Sequence, residues 1–248
     1  MKVVFLLAGK GRRLGDLTND NHKSLIELDD FSLLHHLIEG CIHAGLTDFV
    51  PIVGHCSEKV LSCFNEEYSK KINVTPVVNE DYSTTNNLHS LYCAKSLLEG
   101  EDFILCNGDV VIDRKILSGI KEKVNLSAIA IDDFDFQQPV DSPGVTVEDC
   151  KVTDLGRHIP FDKKAGYAIG VYKFNKTLSR EFFKEAEKLL IENINAGFHD
   201  PLCDLFEEFA IHKHRTEGML WTDIDTQEDI EKAKNIHEAI IEGYQSDK

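Results

Sequence analysis

The chain has 248 residues, 42% of them hydrophobic and 28% charged, and a formal net charge of -16. That length and apolar content suit one globular domain with a sizeable core and exclude collagenous, fibrous and disordered classes. So acidic a surface repels nucleic acid and anionic lipid, so a phosphate-bearing ligand would need a locally positive site.

Lys2 to Leu7 is a continuous apolar run, as expected of a strand buried on both faces. It leads into LLAGKGRRLGDLTNDNHKSL, the densest local source of positive charge, at the strand end where open α/β sheets bind ligands. Leu33 to Leu46 has helical spacing, with Gly45 placed to end it. Asp48 to Val53 reads as a strand, although Pro51 lacks a ladder donor. Helix is predicted for Ser57 to Tyr68, strand for Ile72 to Val78, helix for Asn87 to Leu98 and strand for Phe103 to Cys106. This alternation predicts a mainly parallel sheet covered by helices. The second half is less regular, with strand patterns at Ala128 to Ile131, Gly144 to Val147 and Tyr167 to Phe174. Helical patterns cover Lys176 to Glu192, Pro201 to Ile211 and Thr226 to Ile241. The cysteines stand singly, without metal spacing, and His35, His36, His43 and His55 do not form a ligand set. The N-terminal apolar run is too short for a signal peptide and no segment approaches a membrane span, so a cytoplasmic chain with reduced thiols is expected.

The glycine loop fits neither familiar phosphate motif. The dinucleotide fingerprint needs glycine at position 14, where Leu14 stands, and the triphosphatase loop needs Gly-Lys-Ser, whereas Lys23 and Ser24 follow His22. Backbone amides around Leu7, Ala8, Gly9 and Gly11 can still approach a triphosphate closely, because glycine has no Cβ to hold it away. Arg13 and Lys23 can stabilise charge on an α-phosphate and a departing pyrophosphate. The plainer alternative is a solvated loop whose cations balance Asp16, Asp20 and Glu27.

Two further stretches carry chemistry. In NEDYSTTNNLHSLYCAK, Asn79, Asn86, Asn87 and Ser90 offer donors and acceptors suited to a base edge, while Asn86 and Asn87 also suit a helix cap. In FILCNGDVVI, Asn107-Gly108 taken alone is a hairpin signal, followed by Asp109. WTDIDTQEDIEKA supplies Asp223 and Asp225, beside a Thr226 to Asp229 capping box. The run IDDFDFQQ sets Asp132, Asp133 and Asp135 beside Phe134 and Phe136, a combination suited to an ammonium group or to a plain acidic turn. His199 and Asp200, in HDPLCDLFEE, are further candidates for that pocket.

Leu6, Ala8, Gly9, Gly11, Arg13, Leu14, Leu17, Thr18, Lys23 and Leu25 match the signature loop of the nucleotidyltransferases that join a nucleoside monophosphate to a phosphorylated small molecule. Leu7, Arg12, Asp16 and His22 depart from it. Asn79, Tyr82, Asn86, Asn87, Ser90, Leu91, Tyr92 and Lys95 resemble the branch of CTP:phosphocholine cytidylyltransferases of the licC type. The resemblance implies a Rossmann-like mixed, mainly parallel sheet flanked by helices, as in nucleotide-diphospho-sugar transferases. One domain over 1–248 would hold a nucleotide half (1–120) and an acceptor half (121–248). It further implies Mg2+ on Asp109 and Asp225, with Asp223 the alternate ligand, Asn107 beside the nucleotide, and catalysis by Arg13 and Lys23. The expected reaction passes CMP from CTP to a phosphorylated or phosphonate amine and releases pyrophosphate, for surface polysaccharide or lipid decoration. A primary amine is favoured over choline because the chain has one tryptophan. A sugar-1-phosphate nucleotidyltransferase using UTP or dTTP is the alternative, favoured by Trp221-x-Asp223 and by AGYAIGVYKF, which resembles the family's G-E-x-x-G segment without its Glu. A non-catalytic nucleotide-binding module is the third reading.

Overall fold

The computed structural model describes residues 1–66, 68, 70–132 and 142–246. In chain order they form β1 (Lys2–Leu7), β2 (Glu27–Leu28), β3 (Phe31–Ser32), α1 (Leu33–His43), β4 (Asp48–Val53), α2 (Ser57–Glu66), β5 (Asn73–Val74) and β6 (Val77–Val78). Then come α3 (Asn87–Cys93), α4 (Lys95–Leu98), β7 (Phe103–Asn107), β8 (Val110–Ile112), α5 (Arg114–Lys121), β9 (Ser127–Asp132), β10 (Gly144–Glu148) and β11 (Lys151–Gly156). The last elements are β12 (Gly166–Phe174), α6 (Lys176–Glu192), α7 (Asp200–Leu205), β13 (Ile211–Arg215), β14 (Trp221–Asp223) and α8 (Gln227–Ser246).

The main sheet runs β10-β11-β13-β9-β12-β7-β1-β4-β5, with β6 also on β4. The first half supplies its parallel part, β7-β1-β4, and β12 joins antiparallel on β7. β10 also pairs with β12, so that end of the sheet turns back on itself. Alternate residues of β1 serve opposite faces: Val3, Phe5 and Leu7 pack with α1 residues Leu34, Leu37 and Ile38. Val4 packs on the other side with Leu88 and Leu91 of α3 and Phe182 of α6. A strand covered on both faces needs the unbroken apolar run that the sequence has.

Pro51 proves compatible with an interior strand. The neighbouring chain breaks into β5, opposite Asp48 and Phe49, and β6, opposite Ile52 and Val53, so the gap falls where Pro51 has no N–H to give. Three other expectations change. The single strand over Ile72 to Val78 becomes these two pieces. The helix predicted from Pro201 to Ile211 ends at Leu205, and Ile211 instead opens β13, which lies parallel to β9 inside the sheet. Asn107-Gly108 does not turn a hairpin: β7 stays in the main sheet while β8 leaves it to pair antiparallel with β14. Among the described residues, no helix is long and apolar enough to cross a membrane.

Candidate active site

Three segments distant in sequence meet at the carboxyl end of β1. Lys23 Nζ donates to Asp109 Oδ2 at 3.0 Å and to Asp225 Oδ1 at 2.7 Å. Arg13 pairs with Asp225 Oδ2 at 2.8 Å.

Local sequence explains each position. Gly11 takes φ +60°, a left-handed conformation that favours glycine, and the next turn closes with Leu14 N donating to Gly11 O at 3.0 Å. Leu14 is fully buried with Ile224 and Ala233, which seats the cationic loop on the start of α8. Gln227 Nε2 donates to Leu14 O at 3.2 Å from the same helix. His22 caps the short turn that presents Lys23, its Nδ1 accepting from Ser24 N at 3.1 Å. Burial, with His55 nearby, lowers the His22 pKa to about 4, so the cap is neutral.

Gly108 is required by close approach. A Cβ there would lie 2.4 Å from Leu7 Cδ2 and 2.7 Å from Leu6 O, so only glycine lets the chain cross the end of β1. Beyond that crossing, Ile224 N donates to Asp109 O at 2.9 Å, and the β8–β14 ribbon brings the two acidic segments together. Asp229 Oδ2 accepts from Asp225 N at 2.9 Å and Thr226 N at 2.7 Å, so the Asp229 half of the predicted capping box forms and also orients the backbone at Asp225.

The electrostatics follow from this crowding. Burial disfavours the Lys23 charge, but Asp109 and Asp225 more than offset it and hold its pKa above the usual lysine value. Burial, with Asp109 and Asp225 close by, raises the Asp223 carboxyl to about 6. A lysine only 12% exposed and paired twice holds together the two carboxylates that line the cleft.

Two cavities open from this centre and share Asn87, Asn107 and Asp109. The smaller, about 210 Å³, is lined by Ala8, Gly9, Tyr82, Asn86, Ser90 and Gly108 among others. The larger, about 830 Å³, carries Arg13, Asp223 and Asp225 at one end and Arg157, Tyr172, Phe198, His199, Asp200 and Asp204 elsewhere in its wall. A Cβ on Gly9 would meet nothing within 4 Å, which leaves room for a ligand against the backbone there.

The predicted residues thus divide. Leu7 is wholly buried beneath the loop, in contact range of Gly108 rather than facing the cavity. Asn79 is also buried, with Nδ2 donating to Ser90 Oγ at 2.9 Å and Oδ1 accepting from Asp81 N at 3.0 Å, so it shapes the pocket from behind. Asp132 does not line the cavity formed by the described residues; its Oδ1 accepts from Thr216 Oγ1 at 3.0 Å. Asp133 and Phe134, with Asp135 and Phe136, lie outside the described residues.

Tyr172 and Arg157 were not foreseen from sequence. Tyr172 hydrogen-bonds His199 Nε2 at 2.7 Å, and its hydroxyl pKa is pushed up by burial and then by Asp109. Burial, with Arg157 nearby, lowers His199 to about 4. The available signal for Tyr172 was the glycine pair in AGYAIGVYKF. A Cβ on Gly166 would lie 2.1 Å from Asp132 O, and one on Gly170, at φ +82°, would lie 3.1 Å from Asn107 Cβ. These glycines let β12 press against β9 and the Asn107 turn, which carries Tyr172 to the cavity.

The model of the nucleotidyl transferase family matches residues 2–239. The chain belongs to that family. A bifunctional IPC transferase and DIPP synthase of Aquifex aeolicus is 25% identical over 236 residues, covering 94% of this chain, which spans half the length of that relative. The choline-phosphate cytidylyltransferase of Streptococcus pneumoniae is 24% identical over 95% of this chain and 98% of its own. The solved inositol-1-phosphate CTP transferase of T. maritima superposes with a TM-score of 0.83 at 18% identity, covering 98% of this chain and 96% of that one. The last likeness establishes the fold alone, a mixed sheet flanked by helices.

The carboxylates suit a hard divalent cation. Asp109 and Asp225 already share one cationic centre through Lys23. Among the described residues no three His, Cys, Asp or Glu side chains converge on a metal position, and two carboxylates suit magnesium, which keeps waters and takes further oxygens from phosphate.

Proposed function

We propose that this nucleotidyltransferase passes CMP from CTP to a phosphorylated or phosphonate small molecule bearing an amine, releasing pyrophosphate. The observation that carries this reading is the Arg13, Lys23, Asp109 and Asp225 cluster at the junction of a base-sized and an acceptor-sized cavity. The name of the pneumococcal relative, a choline-phosphate cytidylyltransferase, supports the acceptor class, and that of the T. maritima protein, an inositol-1-phosphate CTP transferase, supports CTP as the nucleotide.

The base would lie in the smaller cavity. Asn87 Oδ1 accepts from Phe198 N at 2.9 Å, which sets the orientation of the amide and leaves its Nδ2 donor for the cavity that Asn87 lines. A donor suits the N3 acceptor of cytosine and opposes the N3–H of uracil, which favours CTP over UTP. The triphosphate would follow the Gly9 to Gly11 backbone toward Lys23 and Arg13. Mg2+, held by Asp109 and Asp225 with Asp223 beside them, would neutralise phosphate charge as the reaction proceeds.

A phosphate oxygen of the acceptor attacks the α-phosphorus in line and the bond to the β-phosphate oxygen breaks. That oxygen is ionised near neutral pH, so no protein base is needed, and Lys23 and Arg13 act by placing charge and geometry. At the acceptor end, Asp200, Asp204 and Glu192 stand with the rings of Tyr172 and Phe198 in the same wall, a surface suited to an ammonium group.

Pyrophosphate release tests the reading, with CTP, UTP, GTP, ATP and dTTP each offered phosphocholine, phosphoethanolamine, 2-aminoethylphosphonate and glucose-1-phosphate. Turnover confined to CTP with an amine-bearing acceptor is expected. Turnover with UTP or dTTP and the sugar phosphate would replace this reading with a sugar nucleotidyltransferase.

A further inference from the structure

We infer that Asn86 and Asn87 are positioning residues for the acceptor cavity, because their side chains latch the segment 193–199 that forms part of its wall. Two hydrogen bonds cross more than a hundred residues of sequence to do this. Asn86 Nδ2 donates to Asn195 O at 3.1 Å, and Phe198 N donates to Asn87 Oδ1 at 2.9 Å.

The latched segment touches both substrate sites. Asn195 faces the glycine loop across a cleft of about 330 Å³ that Gly9, Gly11, Tyr82 and Thr85 also line. Three residues on, Phe198 packs edge-on against Tyr172 with ring centroids 5.0 Å apart, and His199 bonds the Tyr172 hydroxyl. Ala196, Phe198 and His199 all line the larger cavity.

Little else holds this stretch by its backbone. Its internal bonds are turns: Asn195 N to Asn193 Oδ1, Ala196 N to Asn193 O, and Gly197 N to Asp200 Oδ2. Those turns set local shape but do not fix the segment to the nucleotide half. Ala196 and Phe198 are buried in the core that Leu88 and Leu91 of α3 share, and the asparagines add the directed bonds, standing at the start of α3, where the smaller cavity also meets them. A ligand that orders Asn86 and Asn87 therefore also orders the acceptor wall. Nucleotide binding first, then tighter acceptor binding, is the consequence.

The inference rests on the proposed reaction only for its kinetic arm, so the first test needs no acceptor. Hydrogen–deuterium exchange over 193–199 is compared in the unliganded protein, N87D, N87L and N86D. N87D keeps an oxygen for Phe198 N–H and leaves exchange there near the wild-type rate. N87L removes it and speeds exchange at Phe198 by about 3- to 10-fold, the worth of one such bond. N86D keeps the cap oxygen for Asn87 N but loses the donor to Asn195 O, and loosens 195 without melting α3. Equal exchange in wild type and N87L overturns the latch, whether or not the protein uses CTP.

Magnesium CTP provides the second arm. At CTP concentrations that saturate each protein, protection of 193–199 rises in wild type and not in N87L; protection that is unchanged in wild type overturns the coupling. In steady state with the acceptor found by the panel above and CTP saturating, N86D raises the acceptor KM by about 3- to 10-fold, more than it raises the KM for CTP, with melting temperature retained. A fall in melting temperature with an unmoved acceptor KM would assign Asn86 a purely structural role.

Discussion

Lys23 concentrates the chemistry of the site in one ammonium group between two carboxylates. Replacing it with Met leaves Asp109 and Asp225 facing each other with only Arg13 near, and removes the charge that would meet the phosphates. Steady-state kinetics of K23M are expected to give a kcat lower by about 10²- to 10³-fold; a loss under about threefold would place the reaction elsewhere. Arg13 pairs with Asp225 but is 54% exposed, so R13M costs less, about 10-fold. Gly108 predicts a stability effect instead. G108A drives a methyl into Leu7 and Leu6 O, and denaturant unfolding should show a loss of about 1–3 kcal/mol. At this scale the cations and acids were legible in the sequence because each sits in a motif with a charge to supply. Arg157 and Tyr172 were not, since each stands alone in sequence and acquires meaning only from what β11 and β12 bring near it.

Elements that repeat one simple period were read well. β1 and α1 declare themselves because each has a single burial pattern along its length. The stretch after Pro201 misled because the apolar pattern of a short helix runs on into a strand, and no glycine or proline marks the change between Leu205 and Ile211. α8 carries a different kind of information, in its contact with α1. His237 Nδ1 lies 3.0 Å from His36 Nδ1, and His36 Nε2 lies 2.9 Å from Ile112 O on β8. Burial, with His237 alongside, lowers the His36 pKa to about 4. Between about pH 6.5 and 4 the unfolded chain therefore binds a proton that the folded ring refuses, and stability falls as pH falls. His36→Gln removes that linkage, so its loss of stability from pH 7 to pH 5 should be smaller than the wild-type loss by about 2 kcal/mol. Urea unfolding at both pH values checks this, and equal losses would contradict the buried neutral pair.

Over the whole molecule, an acidic chain holds a cleft whose positive charge comes from the Arg13–Lys23 loop and from Arg157 in the wall of the larger cavity. The protein should then discriminate among anions by fit rather than by general attraction, and nucleotide binding should register as stabilisation of the whole fold. With magnesium, CTP at a hundred times its Kd adds about 2.7 kcal/mol, or about 5–10 °C in melting temperature for a chain of this length. ATP and GTP, whose purine edges do not present the cytosine pattern proposed to meet Asn87 and Ser90, should shift it much less; equal shifts would show that the pocket does not read the base. The central claim is that the acceptor oxygen attacks the α-phosphorus, and following the isotope tests it most directly. With CTP labelled separately at the α- and γ-phosphates, the account predicts α-label in the acceptor product and γ-label in pyrophosphate, in equal amounts. Release of the γ-label as inorganic phosphate, or its transfer to the acceptor, would contradict it.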